Sequence, residues 1–136
     1  MRLDELIDFY QTLTPASLER FGEFYAEQAR FKDPFNEVRG LPAIRRIFSH
    51  MFTQLQEPRF VVTEKVSAGE TAFLVWTLHF RRGGKAETIH GVTRLRWDAS
   101  GKVIDHRDYW DAAEELYMKL PLLGGLLRAL RRRLAA

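Results

Sequence analysis

The chain has 136 residues, 46% of them hydrophobic and 29% charged, a balance that suits one domain of ordinary size with its own core. It contains no cysteine, which excludes disulfide scaffolds, thiolate metal sites and a cysteine nucleophile. The net charge is +3, and Arg128, Arg131, Arg132 and Arg133 more than account for it, so the basic character belongs to the tail and is not a nucleic-acid footprint.

Asp4, Glu5 and Asp8 interrupt the first apolar stretch, which therefore does not read as a signal peptide, and no run is long enough to span a bilayer. The expected location is the cytoplasm. Leu3, Leu6, Ile7 and Tyr10 fall on one face of a helix predicted over residues 3–13. Thr14-Pro15 restarts a helix, with Thr14 as its cap and an apolar face of Leu18, Phe21, Phe24 and Tyr25. A short strand is expected over 29–33, ended by Pro34, and 35–40 reads as a loop. From Leu41-Pro42 the series Ile44, Ile47, Phe48, Met51, Phe52 and Leu55 predicts the clearest helix of the chain.

After Pro58 the period changes to two. Strands are expected over 60–66, 71–82, 85–97 and 102–110, joined by turns at Ala68-Gly69-Glu70, Gly83-Gly84 and Asp98-Ala99-Ser100-Gly101. From Ala112 the chain turns helical again, with breaks expected near Pro121 and at Gly124-Gly125. With no repeat and no linker, residues 1–136 read as a single domain, and 112–136 as a C-terminal helical extension. Helices followed by an antiparallel meander define an α+β fold, and a twisted sheet of long strands curls into a cone around a pocket.

Two segments carry a family resemblance. They are Arg30-Phe31-Lys32-Asp33-Pro34-Phe35-Asn36-Glu37-Val38-Arg39-Gly40, leading into Leu41-Pro42-Ala43-Ile44, and Gly101-Lys102-Val103-Ile104-Asp105-His106-Arg107-Asp108-Tyr109-Trp110-Asp111. In order and spacing they resemble the SnoaL-like branch of the nuclear transport factor 2 superfamily, over about residues 3–111. The resemblance implies a cystatin-like cone: N-terminal helices packed on a strongly curved antiparallel sheet, plus a C-terminal helix. Ketosteroid isomerase is a relative, and by likeness to it Asp33 of the Asp-Pro pair matches the general base and Tyr10 the oxyanion donor. The isomerase's second donor, a protonated aspartic acid, falls at Thr93. The same likeness points Ile104, His106, Asp108 and Trp110 inward, and relatives that are polyketide cyclases make His106 and Asp108 a second candidate pair.

The chemistry of these residue types supports such roles. A carboxylate in an apolar cavity can take a proton from beside a carbonyl if a donor stabilises the enolate. A carboxylate two residues from a histidine on a strand shares its face and fixes its tautomer. The structural alternatives are that Asp33 caps a turn before Pro34 and that His106 and Asp108 satisfy each other. Phe31, Phe48, Phe52, Thr93 and Trp110 are the expected ligand-binding residues, although the same aromatics are large enough to fill the pocket themselves.

The histidines are dispersed, so no metal site is expected, and no cofactor. His50 and His90 read as surface or structural, while His79 is compatible with either face of its strand. The expected function is a small-molecule pocket protein acting by proton transfer on a small apolar carbonyl compound, steroid-like or polyketide-like. The alternatives are a non-catalytic binding protein or a dimeric scaffold. The expected partners are a small apolar ligand and a second copy, forming a homodimer through the outer face of the sheet. No nucleic acid is expected. The tail, with Leu120, Leu123, Leu126, Leu127 and Leu130 among basic residues, reads as a helix covering the mouth or the dimer seam; the alternative is contact with a membrane surface.

Overall fold

The computed structural model describes residues 1–115 and 121–135. Helix α1 covers Leu3–Gln11 and buries Leu6, Ile7, Phe9 and Tyr10, the face that its spacing predicts. Thr14 accepts the backbone N–H of Ser17 on its hydroxyl at 3.2 Å, and the segment it opens is a 3-10 helix, Ala16–Arg20, followed by one turn of helix α2, Phe21–Phe24. Strand β1 then begins at Tyr25 and runs to Lys32, four residues earlier than the alternation predicts. Glu37–Arg39, expected as loop, forms a short strand β2 antiparallel to β1. Helix α3, Leu41–Gln54, buries Ile44 and Phe48.

The remaining strands are long: β3, Gln56–Ala68; β4, Thr71–Arg82; β5, Lys85–Trp97; and β6, Val103–Tyr109. Gly83 and Gly84 both adopt positive φ, +57° and +79°, which a two-residue hairpin turn between β4 and β5 requires. The sheet order is β2-β1-β6-β5-β4-β3. The sheet is mixed and not antiparallel throughout, as expected from the meander, because β6 inserts beside β1 in parallel. The meander comes back to the N-terminal strand from the far side of the sheet, so the last pairing has the opposite sense to the local hairpins.

Leu74, Trp76, Leu78 and Phe80 of β4, with Ile89, Thr93 and Leu95 of β5, face the core beneath α1 and α3. His79, on the alternate set, faces outward. Val103 pairs with Trp97 and Asp105 with Arg96, so Ile104 is an extra residue in β6. Strict alternation puts Ile104 inside; the bulge instead leaves it 38% exposed, and Val103 fills the core position. Beyond the bulge the expected phase holds, with His106 buried inward. Asp105, on the outer face, is buried by ion pairs to Arg30 and Arg94, both at 2.9 Å.

After the single turn of α4, Ala112–Glu115, helix α5 spans Pro121–Leu134 and runs through Gly124 and Gly125, where the sequence suggests a break. Neighbouring helix formers carry the two glycines. Leu120 and the side chain of Leu123 lie outside the described residues. Among the described residues no helix is long and apolar enough to cross a membrane.

Candidate functional site

Between α3, the turn after β1 and the inner faces of β4, β5 and β6 lies a cavity of about 410 Å³. Its walls are mostly apolar, with Phe31, Met51, Phe80, Ile89 and Trp110 among them, and its polar lining includes Asp33, Asn36, His50, Arg82 and Asp108. A deeper space of about 30 Å³, room for one or two waters, adjoins it and is lined by Tyr10, Thr93 and His106. Phe48, Phe60, Trp76 and Asp108 line both. Asp108 therefore stands where the buried end of the cone meets its cavity.

One line of hydrogen bonds crosses this end. Tyr10 from α1 meets Tyr25 hydroxyl to hydroxyl at 2.5 Å, and the Tyr25 hydroxyl lies 2.6 Å from His106 Nδ1. His106 Nε2 is 2.7 Å from Asp108 Oδ1. The same oxygen accepts the Thr93 hydroxyl at 2.5 Å, and Thr93 accepts the indole N–H of Trp76 at 2.7 Å. Six side chains from α1, β1, β4, β5 and β6 are thus joined.

The direction of each bond follows from what each group can donate. Trp76 Nε1 can only donate, so Thr93 accepts from it and gives its single proton to Asp108. A carboxylate oxygen only accepts, so His106 carries its hydrogen on Nε2. With that hydrogen on Nε2, Nδ1 is assigned as the acceptor of the Tyr25 hydroxyl, and Tyr25 as the acceptor of the Tyr10 hydroxyl. This assignment, made from the network, places one proton in every bond, and all of them converge on Asp108. Among the described residues no hydrogen bond reaches Asp108 Oδ2.

Both phenols are held in the neutral form. Burial pushes Tyr10 well above the ordinary tyrosine value, and the neighbouring Tyr25 and the charge of Asp108 add to the effect. Burial likewise raises Tyr25 strongly, the bond from Tyr10 opposes this, and Asp108 reinforces it. Their shared bond raises Tyr10 and lowers Tyr25. Phe31 stacks on the His106 ring with centroids 4.5 Å apart, so the imidazole is fixed in its plane as well as at both nitrogens.

Of the residues singled out by sequence, Tyr10, His106, Asp108 and Thr93 are brought into one network. Phe31, Phe48 and Trp110 line the cavity, and Trp110 packs edge-on against Phe35 at 5.5 Å. Phe52 lies elsewhere, on a shallow groove with Leu13 and Pro15. Asp33 lines the cavity but is engaged in its own turn. Its Oδ1 accepts the backbone N–H groups of Phe35 and Asn36 at 2.8 and 2.7 Å, and both oxygens accept the Asn36 amide at 3.1 Å. His90 bonds Thr77 at 3.1 Å on the outer face.

Sequence reasoning missed Tyr25, which it places on a helix, and the polar role of Trp76. A period-two reading of β1 through Tyr25, Ala29 and Phe31 would have turned Tyr25 inward. Among the described residues no three His, Asp or Glu side chains come together as a metal ion would require.

No curated protein matches the sequence significantly. Solved structures with the same fold include a candidate SnoaL-like polyketide cyclase from Jannaschia sp. CCS1, 16% identical, with a TM-score of 0.71 over 82% of this chain and 84% of that one. A candidate isomerase of the SnoaL-like family from Agrobacterium tumefaciens is 15% identical, with a TM-score of 0.67 over 80% of this chain and 93% of that one. The protein TerC, co-crystallised with polyporic acid, is 16% identical, with a TM-score of 0.72 over 82% and 92%. At these identities the likeness establishes the fold. The sequence itself matches the SnoaL-like domain over residues 6–106, the stretch that runs from the first helix to the histidine of the network, and the chain belongs to that family.

Proposed function

We propose that the cone holds a small, mostly apolar compound bearing a carbonyl or hydroxyl group, and that Asp108 exchanges a proton with it without a cofactor. The observation that carries this reading is the convergence of the network on Asp108 Oδ1 while Oδ2 has no hydrogen bond among the described residues and stands beside a cavity of about 410 Å³. That volume is within the usual range for small-molecule sites. His106 engages both ring nitrogens within the protein and is 3% exposed, so it acts as a positioning residue and the proton is exchanged at the carboxylate. Thr93 and His106 hold Oδ1 from two sides and so aim Oδ2. The isomerase and cyclase names among the fold relatives, and the hydroxyquinone found with one of them, suggest the substrates to try. Asp33, held by its turn, is assigned to shaping the cavity wall.

The test is turnover of steroid enones, polyketide-like ketones and hydroxyquinones by the parent protein and by Asp108→Asn and Asp33→Asn. Asp108→Asn is expected to lower turnover by roughly a hundredfold or more, the usual contribution of a proton-transfer group, and Asp33→Asn to retain most of it. Turnover that survives Asp108→Asn undiminished would refute the assignment.

A second reading, a binding protein without chemistry, is favoured by one observation. The Tyr10 hydroxyl is hydrogen-bonded to that of Tyr25 at 2.5 Å, so the oxyanion donor implied by the isomerase likeness is already engaged. A compound retained in native mass spectra and recovered unchanged after incubation would decide for this reading.

A further inference from the structure

The cavity is unevenly charged along its length. Thr93 pairs with Leu74 on one side and with Asp108 on the other, so Asp108 is level with the inner end of the wall that β4 supplies. Phe31 pairs with His106 and Lys32 with Arg107, and one step further that parallel register brings Asp33 level with Asp108. Both carboxylates therefore belong to one end. From Trp76 the wall runs through Leu78 and Phe80 to Arg82, six residues on, or about 20 Å of strand. Among the described residues Arg82 is the one arginine or lysine that lines the cavity.

Arg82 also stands where the cavity meets the surface. With Gln54 and Leu55 it lines both the cavity and the groove that holds Phe52. Both carboxylate oxygens of Glu87 lie on its Nη2, at 3.3 and 3.2 Å, and among the described residues no hydrogen bond takes Nε or Nη1. The guanidinium is thus held by one nitrogen with its other N–H groups unspent, and its side chain is 39% exposed. Among the described residues of α5 none lines the cavity or the groove, whereas the sequence suggests a helix over the mouth.

We propose that the ligand carries a carboxylate at the end remote from its carbonyl, and that Arg82 is the residue that selects it. The proposal rests on the reading of this cavity as the ligand site. Asp33 and Asp108 repel an anion from their end, while Arg82 can donate to one at the other, where water still reaches it. Charge therefore orients an elongated apolar compound, neutral carbonyl toward Asp108 and anionic group toward the mouth. Glu87 is a positioning residue: it fixes the guanidinium and offsets part of its charge.

The test uses an acetylnaphthoate and an acetylbiphenyl carboxylate, each with ketone and carboxylate at opposite ends, beside the methyl ester of each. Affinity for the full chain is read from quenching of Trp76 and Trp110, which line the cavity. The acid is expected to bind about tenfold more tightly than its ester, a charged hydrogen bond discounted for a half-exposed and partly offset cation, with a margin that shrinks as salt is raised. Arg82→Met should bring acid and ester to the same affinity, and Arg82→Lys, which keeps the charge but not the fork, should retain part of the preference. Because acid and ester are compared within one variant, a general loss of stability does not imitate this result. The proposal is overturned if the parent prefers neither acid over its ester, or if the preference survives in Arg82→Met. Turnover that depends on Asp108 without any preference for acids would leave the Asp108 assignment standing and remove this one; preference without turnover would do the reverse.

Discussion

The indole of Trp76 lies against the backbone of Gly91, its direct partner across β4 and β5, and only because residue 91 has no side chain can the ring lie there and reach Thr93. A Cβ at position 91 would come within 2.4 Å of the indole. Gly91→Ala should therefore displace Trp76, break the Trp76–Thr93 bond and destabilise the fold by about 1–3 kcal/mol, the usual effect of overpacking. Urea titration gives the loss, and near-ultraviolet circular dichroism follows the indole. A variant with unchanged stability and an unchanged aromatic spectrum would show that the ring has somewhere else to go.

The direction of the hydrogen bonds makes Tyr25 and Tyr10 unequal. Tyr25→Phe leaves the buried Nδ1 of His106 without a donor and should cost about 1–3 kcal/mol, the penalty of an unsatisfied buried acceptor. Tyr10→Phe removes only the bond donated to Tyr25, which keeps its own donation to His106, and should cost about 0.5–1.5 kcal/mol. If Tyr10→Phe instead costs as much as Tyr25→Phe, it has stranded the hydroxyl proton of Tyr25, and the protons run the other way, from His106 toward Tyr10.

Both phenols also set the alkaline limit. Their folded values are raised above the unfolded value of about 10, so above that pH the unfolded chain loses protons that the folded one keeps. Stability is full below about pH 10 and falls as the pH rises beyond it. Stability measured against pH should fall less steeply there in Tyr10→Phe with Tyr25→Phe, once the lower starting stability of that variant is taken into account.

How much of this could be read from the sequence depended on how local the cause was. Strands β4 and β5 are legible because alternation and Gly83-Gly84 specify a hairpin from adjacent residues. Helix α3 is legible because Pro42 and six apolar positions repeat on one face. Tyr25 was not, since Leu18, Phe21, Phe24 and Tyr25 fit a helical face until β6 arrives to pair with β1. Nor was the bulge at Ile104, which exists only relative to its partner β5. His106 and Asp108 could be paired from their spacing of two, whereas Tyr25 and His106, 81 residues apart, meet only through the parallel pairing of β1 with β6.

On the other face of β6, the acid limit is set by Asp105. Burial works to raise its carboxyl, but the bonds and charges of Arg30 and Arg94 outweigh it and hold the group below the usual aspartate value. A lowered folded value means that the contribution of Asp105 is present above the unfolded value of about 3.9 and is lost as the pH falls through the lower folded one. Asp105→Asn should therefore be less stable than the parent at neutral pH and should show a shallower acid transition, so that the two stability curves converge below about pH 4. Arg94 sharpens the expectation, because its Nε is buried without a hydrogen-bond partner and its charge is balanced by Asp105 alone among its ion pairs in the described residues. Arg94→Met in the Asp105→Asn background should recover part of the loss by removing the stranded charge. If the double variant is no more stable than Asp105→Asn, burial of Arg94 is not the source of the penalty, and the pair serves only to fix the register of β5 on β6.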